Sequence, residues 1–204
     1  TADSDGAFSI TSSTLSDGSY SLTATATDAA GNISSLSSAL SILVNIGDFE
    51  WTRLLGSAVE DHGNALTTGS DGSIFIAGTT DGDFDEQTNN GNGDIFISKF
   101  NPDGIKEWTR LLGSAVEDQG NALTTGSDGS IYIAGSTYGN LDGQTNNGTA
   151  DSFISKFNPN GTKEWTILLG TSSLLSGEAL TTGNDGSIYI AGYTFGDLDG
   201  QTYN

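Results

Sequence analysis

The chain has 204 residues, with 29 glycines, no cysteine, no methionine and a formal net charge of −20 from 26 acidic and 6 basic residues. This charge disfavours binding to nucleic acid backbones and to anionic lipid surfaces. The lack of cysteine excludes disulfides, thiolate metal sites and cysteine nucleophiles, and no apolar run approaches the roughly 20 residues that span a bilayer. Abundant Gly, Ser, Thr, Asn and Asp favour turns and strands over helices, so we expect an all-β protein.

Residues 1–45 contain three β-prone runs, GAFSI, GSYSLTATATDAAGN and SSALSILV. In the second run Tyr20, Leu22, Ala24 and Ala26 alternate with polar residues and are predicted to share one strand face. The segment SDGSYSLTATATDAAGN resembles the end of the bacterial Ig-like domains of long surface adhesins. The resemblance implies the C-terminal part of a β-sandwich, followed by a short linker at residues 45–48.

Asp28 is a candidate calcium ligand because of this resemblance. In the adhesin modules an acidic residue at this point can lie near an interdomain calcium ion. The alternative is that Asp28 caps the turn before Gly31. Both interpretations remain open at the level of sequence.

A repeat begins after the linker. The letters EWTRLLGSAVED occupy residues 50–61 and recur at 107–118, and the related EWTILLGTSSLL begins at Glu164. A period of 57 residues indicates a repeat array or a propeller. The units are 50–106, 107–163 and 164–204, and the third stops partway through its pattern. This stop, and a start without Met, lead us to expect an internal piece of a longer protein.

Each period is predicted to contain four short strands. The turn Ser70-Asp71-Gly72-Ser73 joins the first two, since Asp-Gly is a hairpin signal. The turn Asn101-Pro102-Asp103-Gly104 joins the last two. Strands are expected at about 65–69, 73–79, 94–100 and 105–112. The runs SIFIAG and DIFISKF are apolar at nearly successive positions, which is typical of sheets covered on both faces.

These motifs resemble a known family. WTRLLGSxxEDxGxAL, DGSIYIAGxT and DxFISKFNPxG, in this order, look like the bacterial SBBP repeat of seven-bladed β-propellers. The resemblance implies blades with ALTTG innermost and KEWTRLLG outermost. We therefore expect a partial Ig-like sandwich followed, over residues 46–204, by four-stranded antiparallel propeller blades. They would form an open arc of about two to three blades, with the remaining blades elsewhere in the full-length chain.

A polar loop between the second and third strands of each unit is a second candidate calcium site. Alternating acidic residues before Gly are similar to the start of calcium loops, where spaced oxygens surround a hard cation. No bidentate Glu follows at a fixed place, so the alternative is a solvated loop of Asx turns. The candidate residues are Asp81, Asp83 and Asp85 in the first copy, Asn140 and Asp142 in the second, and Asp197 and Asp199 in the third.

Two charges change together between the copies. Arg53 and Arg110 each precede a Glu-Asp pair, at 60–61 and 117–118, whereas the third copy has Ile167 and the pair Leu174-Leu175. The pattern predicts a loop that folds back so that these positions touch. The contact would be ionic in two copies and apolar in the third.

No residue pattern indicates catalysis. His62 is the one histidine and the second copy has Gln119 in its place, so a surface role is favoured. Glu60 and Asp61 are adjacent and would point apart on a strand, unlike the facing carboxylates of glycosidases. Trp51, Trp108 and Trp165 recur on the outer strands and are interpreted as packing residues rather than sugar-stacking platforms.

The sequence therefore predicts a non-catalytic structural or adhesive module of a large secreted or cell-surface bacterial protein. Its expected partners are other protein domains or surface glycans, with no nucleic acid and no membrane insertion. No cofactor is predicted with the possible exception of calcium. The alternative is a calcium-dependent, lectin-like propeller, and a third possibility is an enzyme in parts of the polypeptide outside these residues.

Overall fold

The structure is a computed structural model that describes residues 18–44 and 51–203. The chain divides into two compact units, Thr1–Thr52 and Arg53–Asn204. The predicted strand GAFSI and the linker at 45–48 lie outside the described residues. Among the described residues all regular structure is β, which confirms the predicted fold class.

Within residues 18–44, the described part of the N-terminal unit, β1 (Gly18–Leu22) pairs antiparallel with β2 (Leu40–Val44). Regular pairing ends at Leu22, earlier than the alternating pattern predicts. Serine hydroxyls then enter the ladder, because the amide of Ala24 donates to Ser37 Oγ at 3.0 Å while the amide of Ser37 donates to the Ala24 carbonyl at 2.9 Å. A side chain thus replaces a backbone acceptor.

The repeat region contains ten strands in three antiparallel sheets. The first sheet has the order β3-β4-β5-β6, the second β7-β8-β9-β10, and the third comprises β11-β12. The strands are β3 (Asp61–Thr68), β4 (Ile74–Thr80), β5 (Asp94–Phe100), β6 (Lys106–Leu112), β7 (Asp118–Thr125), β8 (Ile131–Thr137), β9 (Asp151–Phe157), β10 (Lys163–Leu169), β11 (Leu175–Thr182) and β12 (Ile188–Thr194).

The four predicted strands are confirmed in the first and second sheets, and one boundary is corrected. β3 begins at Asp61 rather than near residue 65. A register shift between Gly63 and Ala65 lets the turn-prone Gly-Asn pair remain within the strand. Such a bulge inserts an extra residue and bends the chain. The turn-prone residues at the bulge therefore caused the sequence to predict too late a start for β3.

The second sheet is covered on both faces, as the apolar runs predict, whereas the first and third sheets each pack against one neighbouring sheet and leave Leu66 and Tyr189 exposed. β7 contacts β3, β4 and β5 of the first sheet, and β11 contacts β7, β8 and β9 of the second. Ile95 and Ile97 on β5 and Ile131 and Ile133 on β8 are at most 1% exposed. Burial of this apolar surface is the main stabilising contribution to such a stack.

Two of the recurring tryptophans pack as predicted. The Trp108 ring lies 6.1 Å from that of Phe75, and Trp165 lies 6.1 Å from Tyr132, each pair within one sheet. Trp108 also packs beneath Gly161, where an added Cβ would lie 2.9 Å from the indole. The indole therefore packs within its own sheet and also against the next sheet.

The predicted contact between Arg110 and the Glu-Asp pair is wrong. Arg110 Nε donates to the Gly161 carbonyl of the next sheet at 2.9 Å, and its guanidinium lies 5.4 Å from the Trp108 ring centre. Arg53 Nε makes the equivalent bond to the Gly104 carbonyl. In the third copy Ile167 is 48% exposed instead of packing on Leu175, which is buried. Arg110 therefore joins the first sheet to the second, and Arg53 bonds to the first sheet from the segment that precedes it.

Candidate functional site

A polar cleft, here called the first cleft, lies between the first and second sheets. It is open to solvent and its walls come from the ends of β3, β4 and β7. The lining residues are Glu60, His62, Asn64, Thr79, Asp81, Glu117 and Gln119.

Side chains in the first cleft form short-range pairs within each sheet. His62 Nε2 lies 3.0 Å from Glu60 Oε1, and both side chains are largely exposed. Gln119 Nε2 donates to Glu117 Oε1 at 2.6 Å. Asn64 crosses the cleft floor and donates to the Gly120 carbonyl at 3.0 Å. The cleft offers carboxylate and amide groups for hydrogen bonding and attracts cations.

The equivalent surface between the second and third sheets has different chemistry. Tyr138 stands where the first copy has Asp81, and Leu174 stands where the second has Glu117. Two of the acidic groups of the first cleft therefore have no counterpart there. The fold is therefore repeated between the second and third sheets, but the acidic residues of the first cleft are not.

Two carboxyls are completely buried beneath the first cleft. Asp94 begins β5, Asp118 begins β7, and both are 0% exposed. Burial and the charge of Asp118 raise the pKa of Asp94, although its backbone hydrogen bond opposes this. Burial likewise raises the pKa of Asp118 above its usual range. The sequence analysis missed Asp94, for which the signal was an acid at the first position of a largely apolar strand, and it assigned Asp118 to a contact with Arg110 rather than to a buried position.

The loop aspartates predicted as calcium ligands make local contacts. Asp83 Oδ1 accepts from the amide of Asn89 at 2.9 Å, and Asp85 Oδ1 lies 2.5 Å from Lys106 Nζ. Asp81 lines the first cleft, away from that turn. The three acids of the first loop thus serve different neighbours, and calcium binding here stays a prediction.

The same arrangement recurs in the other two loops. Asp142 pairs with Lys163, and Asn140 Oδ1 accepts from the amide of Asn146 at 3.0 Å. In the third copy Asp197 Oδ1 accepts from the amide of Tyr203 at 2.8 Å. Asp85, Asp142 and Asp199 all have a positive φ, of 49°, 54° and 48°. An Asp at this point therefore fits a left-handed turn, followed by Gly in the second and third loops and by Glu86, also with a positive φ of 61°, in the first.

A glutamine in each loop was missed by the sequence analysis. Gln87 Nε2 donates to the Thr109 carbonyl at 2.8 Å, and its Oε1 accepts from the Leu111 amide at 3.1 Å. Gln144 makes both bonds to the equivalent residues of β10. The side-chain amide thus fastens the loop to the outer strand. The recurrence of Gln three residues after Phe or Leu was the available signal.

Asp28 lies in a turn of the N-terminal unit. Its Oδ1 accepts from the amides of Ala30 and Asn32, both at 2.9 Å, and its Oδ2 accepts from Asn32 Nδ2 at 2.8 Å. These bonds lower the pKa of Asp28, the side-chain bond from Asn32 most of all. Gly31 has a φ of 89°. The capping role is confirmed, whereas calcium binding at Asp28 stays a prediction.

No preformed metal cluster occurs in residues 18–44 and 51–203, where no three His, Asp or Glu side chains converge. Over the same ranges no helix is long and apolar enough to cross a membrane.

Comparisons with known protein families agree with this geometry. Residues 1–45 match the model of a bacterial Ig-like domain. Residues 50–85 and 107–142 match that of a β-propeller repeat. Both segments are β-propeller repeats. A second propeller model, described as a domain of unknown function (DUF5122) β-propeller, matches residues 69–104 and 126–164. The resemblances drawn from the sequence are confirmed.

Two curated proteins are similar to the propeller-bearing chain. Regulatory protein FlaEY of Caulobacter vibrioides is 28% identical over a segment that covers 66% of the chain. An uncharacterized WD repeat-containing protein of Acanthamoeba polyphaga mimivirus is 26% identical over 74% of the chain. The chain spans 16% and 14% of the lengths of these two proteins. β-Propeller repeats and Ig-like domains are commonly non-catalytic and serve as structural and protein-interaction modules.

Proposed function

We propose that this chain is a non-catalytic module of a large secreted or cell-surface bacterial protein. Its β-propeller repeats would hold the first cleft and its neighbouring loops in place for contact with another protein domain or a surface glycan. The observation that carries the proposal is the first cleft itself. It is a solvent-open groove of carboxylate and amide groups on a tightly packed base.

The packing between sheets supports a display role. Thr125 Oγ1 donates to the Thr68 carbonyl at 3.1 Å, and Thr182 Oγ1 donates to the Thr125 carbonyl at 3.0 Å. The same bond therefore recurs at each contact between sheets. A groove on such a stack is pre-organised, which lowers the entropy lost on binding.

The chemistry of the first cleft favours polar partners. Glu60, Asp81 and Glu117 accept hydrogen bonds and attract positive charge, while Asn64 and Gln119 add amide donors. Sugar hydroxyls and basic protein surfaces both fit this set. The bacterial Ig-like match at residues 1–45 supports an extracellular location.

Binding by labelled protein tests the proposal. The chain is applied to an array of bacterial and host surface glycans and to a panel of purified bacterial surface-protein domains. We expect at least one target whose affinity falls about tenfold or more in the double variant Asp81→Asn, Glu117→Gln, a loss of about 1.4 kcal/mol.

The matched control is Asp103→Asn, which removes a carboxylate from an exposed turn outside the first cleft. Equal loss in the control and the cleft variant would show non-specific charge effects and contradict the proposal. Silence on both arrays would contradict it as well. Repeating any positive assay in EDTA separates the calcium-dependent alternative, since only that alternative loses binding when calcium is removed.

A further inference from the structure

The contact between the first and second sheets is here called the first junction. Each of the two sheets contributes one buried carboxyl to it. Asp94 belongs to the first sheet and Asp118 to the second. Both are 0% exposed. Burial of one unpaired carboxylate is costly, and two like charges at close range add repulsion. The pair therefore needs an explanation beyond turn formation.

In each carboxyl, one oxygen accepts a hydrogen bond and the other has no hydrogen-bond partner. Asp94 Oδ2 accepts from the Asn90 amide at 3.0 Å, and Asp118 Oδ2 accepts from the Ser114 amide at 2.5 Å. The Oδ1 atom of each is buried without a hydrogen-bond partner. Unsatisfied buried oxygens of this kind are rare in folded proteins.

The two carboxyls border the same short segment. A Cβ added to Gly113 would lie 2.0 Å from Asp94 Oδ1, so that carboxyl rests directly against the glycine. Ser114, the next residue, donates its amide to Asp118. The pair is therefore arranged around a single peptide.

The charged groups that face the pair are negative. Burial raises the pKa of Asp118 most and the adjoining charge of Glu117 raises it further, while hydrogen bonding from Thr137 and Ser114 opposes the change. Asp81 Oδ1 and Glu117 Cγ lie 3.2 and 3.8 Å from a Cβ placed on Gly93, the residue before Asp94. Each lysine is paired elsewhere: Lys99 with Glu107, Lys106 with Asp85, Lys156 with Glu164 and Lys163 with Asp142.

The contact between the second and third sheets, the second junction, carries a natural variant of the pair. Asp151 occupies the position of Asp94 and is 0% exposed, whereas Leu175 replaces Asp118 and is 6% exposed. Burial raises the pKa of Asp151, with no second carboxylate acting on it. The second junction therefore shows the fold without the like-charge pair.

We propose that Asp94 and Asp118 form a proton-binding switch that tightens the first junction in acid and loosens it as the pH rises. A proton taken from solvent removes one of the two buried charges and converts an acceptor-only oxygen into a donor. Loss of that proton leaves two buried carboxylates, and within the described residues neither forms an ion pair with a basic side chain. The second junction lacks the pair, so its stability should depend less on pH.

The sign of the pH dependence follows from the raised pKa values. A carboxyl whose pKa is higher in the folded than in the unfolded state holds its proton more tightly when folded. Its contribution to stability is complete below the ordinary value of 3.8 and is lost as the pH rises through the folded pKa. This direction is opposite to that of an Asp in an ion pair.

Urea unfolding between pH 4 and 8 tests the switch, with Asp118→Leu copying the second junction. The free energy of unfolding of the original chain should fall with pH. Its slope should correspond to about one more proton released on unfolding than in Asp118→Leu. Asp151→Asn is the matched control, because it removes one buried carboxyl, which itself contributes to the slope through its raised pKa, but leaves the pair. Adding Asp118→Leu to this variant should lower the slope by about one further proton.

A second measurement does not depend on the stability of any variant. Carbon-13 NMR titration of the side-chain carboxyls of the original chain should show Asp94 or Asp118 losing its proton well above the ordinary range. Normal titration of both would overturn the proposal, as would equal slopes for the original chain and Asp118→Leu. Calcium that stabilises the original chain at pH 8 and abolishes its pH dependence would also overturn it, because a metal ion would then neutralise the pair.

Discussion

The first and second junctions share a backbone frame and differ in side-chain chemistry. The Asp118 amide donates to the Gly93 carbonyl in the first, and the Leu175 amide donates to the Ala150 carbonyl in the second, both at 2.9 Å. Asn64 and Asn121 donate to equivalent glycine carbonyls across the two junctions. The residue that supplies the shared amide is an acid in one case and a leucine in the other.

The comparison shows which hydrogen bonds hold the sheets together and which side chain can vary between the two junctions. Main-chain and asparagine bonds recur at both junctions, so they define the stacking. The buried side chain at position 118 or 175 is free to change because only its backbone is needed for the frame. The molecule therefore contains one junction with a buried acid at this position and one with a buried leucine.

Alanine at two matched glycines should break the junctions most strongly. A Cβ at Gly91 would lie 2.2 Å from the Val116 carbonyl oxygen, and at Gly148 it would lie 2.2 Å from the Ser173 carbonyl oxygen and 2.3 Å from that of Thr171. Because backbone cannot yield cheaply, each variant should lose about 1–3 kcal/mol of unfolding free energy. Gly148→Ala should be the worse, since two oxygens lie that close. Urea unfolding measures both.

Gly143→Ala is the control for these glycines. Its φ is 76° and an added Cβ meets nothing within 4 Å, so only the left-handed conformation costs energy, about 1 kcal/mol. If the junction variants were no less stable than this control, close packing between the sheets would be refuted.

Removing an arginine should have an intermediate effect. Arg110→Ala loses the hydrogen bond to the Gly161 carbonyl and the stacking on Trp108, and should cost about 1–2 kcal/mol. Ile167→Ala, at the equivalent position of the third copy, should change stability by less than about 0.5 kcal/mol because that side chain is 48% exposed. Thermal unfolding compares the two. Equal losses would contradict a role in joining sheets.

The lysine pairs of the loops should matter least. Lys106→Ala removes the ion pair with Asp85, whose side chains are 36% and 30% exposed, and should cost less than about 1 kcal/mol. Although burial opposes it, the Lys106 hydrogen bond lowers the pKa of Asp85, so this contribution disappears as the pH falls below 3.8. Unfolding at low and high salt checks the assignment, and a loss that salt does not reduce would contradict it.

The strands were predictable because their signals are local. Asp-Gly turns, together with Pro-Asp-Gly in the first period and Pro-Asn-Gly in the second, mark the strand ends, and the apolar runs of β4 and β5 indicate a sheet packed within a stack. The start of β3 was misplaced because the bulge at Gly63 tolerates residues that otherwise end a strand.

Contacts between sheets were less predictable because they depend on the spacing between whole units. The partner of Arg110 is Gly161, which lies in the next repeat, and no local pattern indicates it. Asp94 and Asp118 belong to different strands, so their proximity follows only from the stacking. The first cleft likewise combines residues from two units, although Glu60 and Glu117 were each visible in the sequence.

Gln87 and Gln144 also occupy part of the open edge of the outermost strands. Outermost strands expose main-chain groups that invite strand addition by another molecule. The Gln87 amide satisfies Thr109 and Leu111 at the middle of β6, and Gln144 does the same for Thr166 and Leu168 on β10. Each side-chain amide thus takes the place that a peptide group of an added strand would occupy at these two main-chain groups.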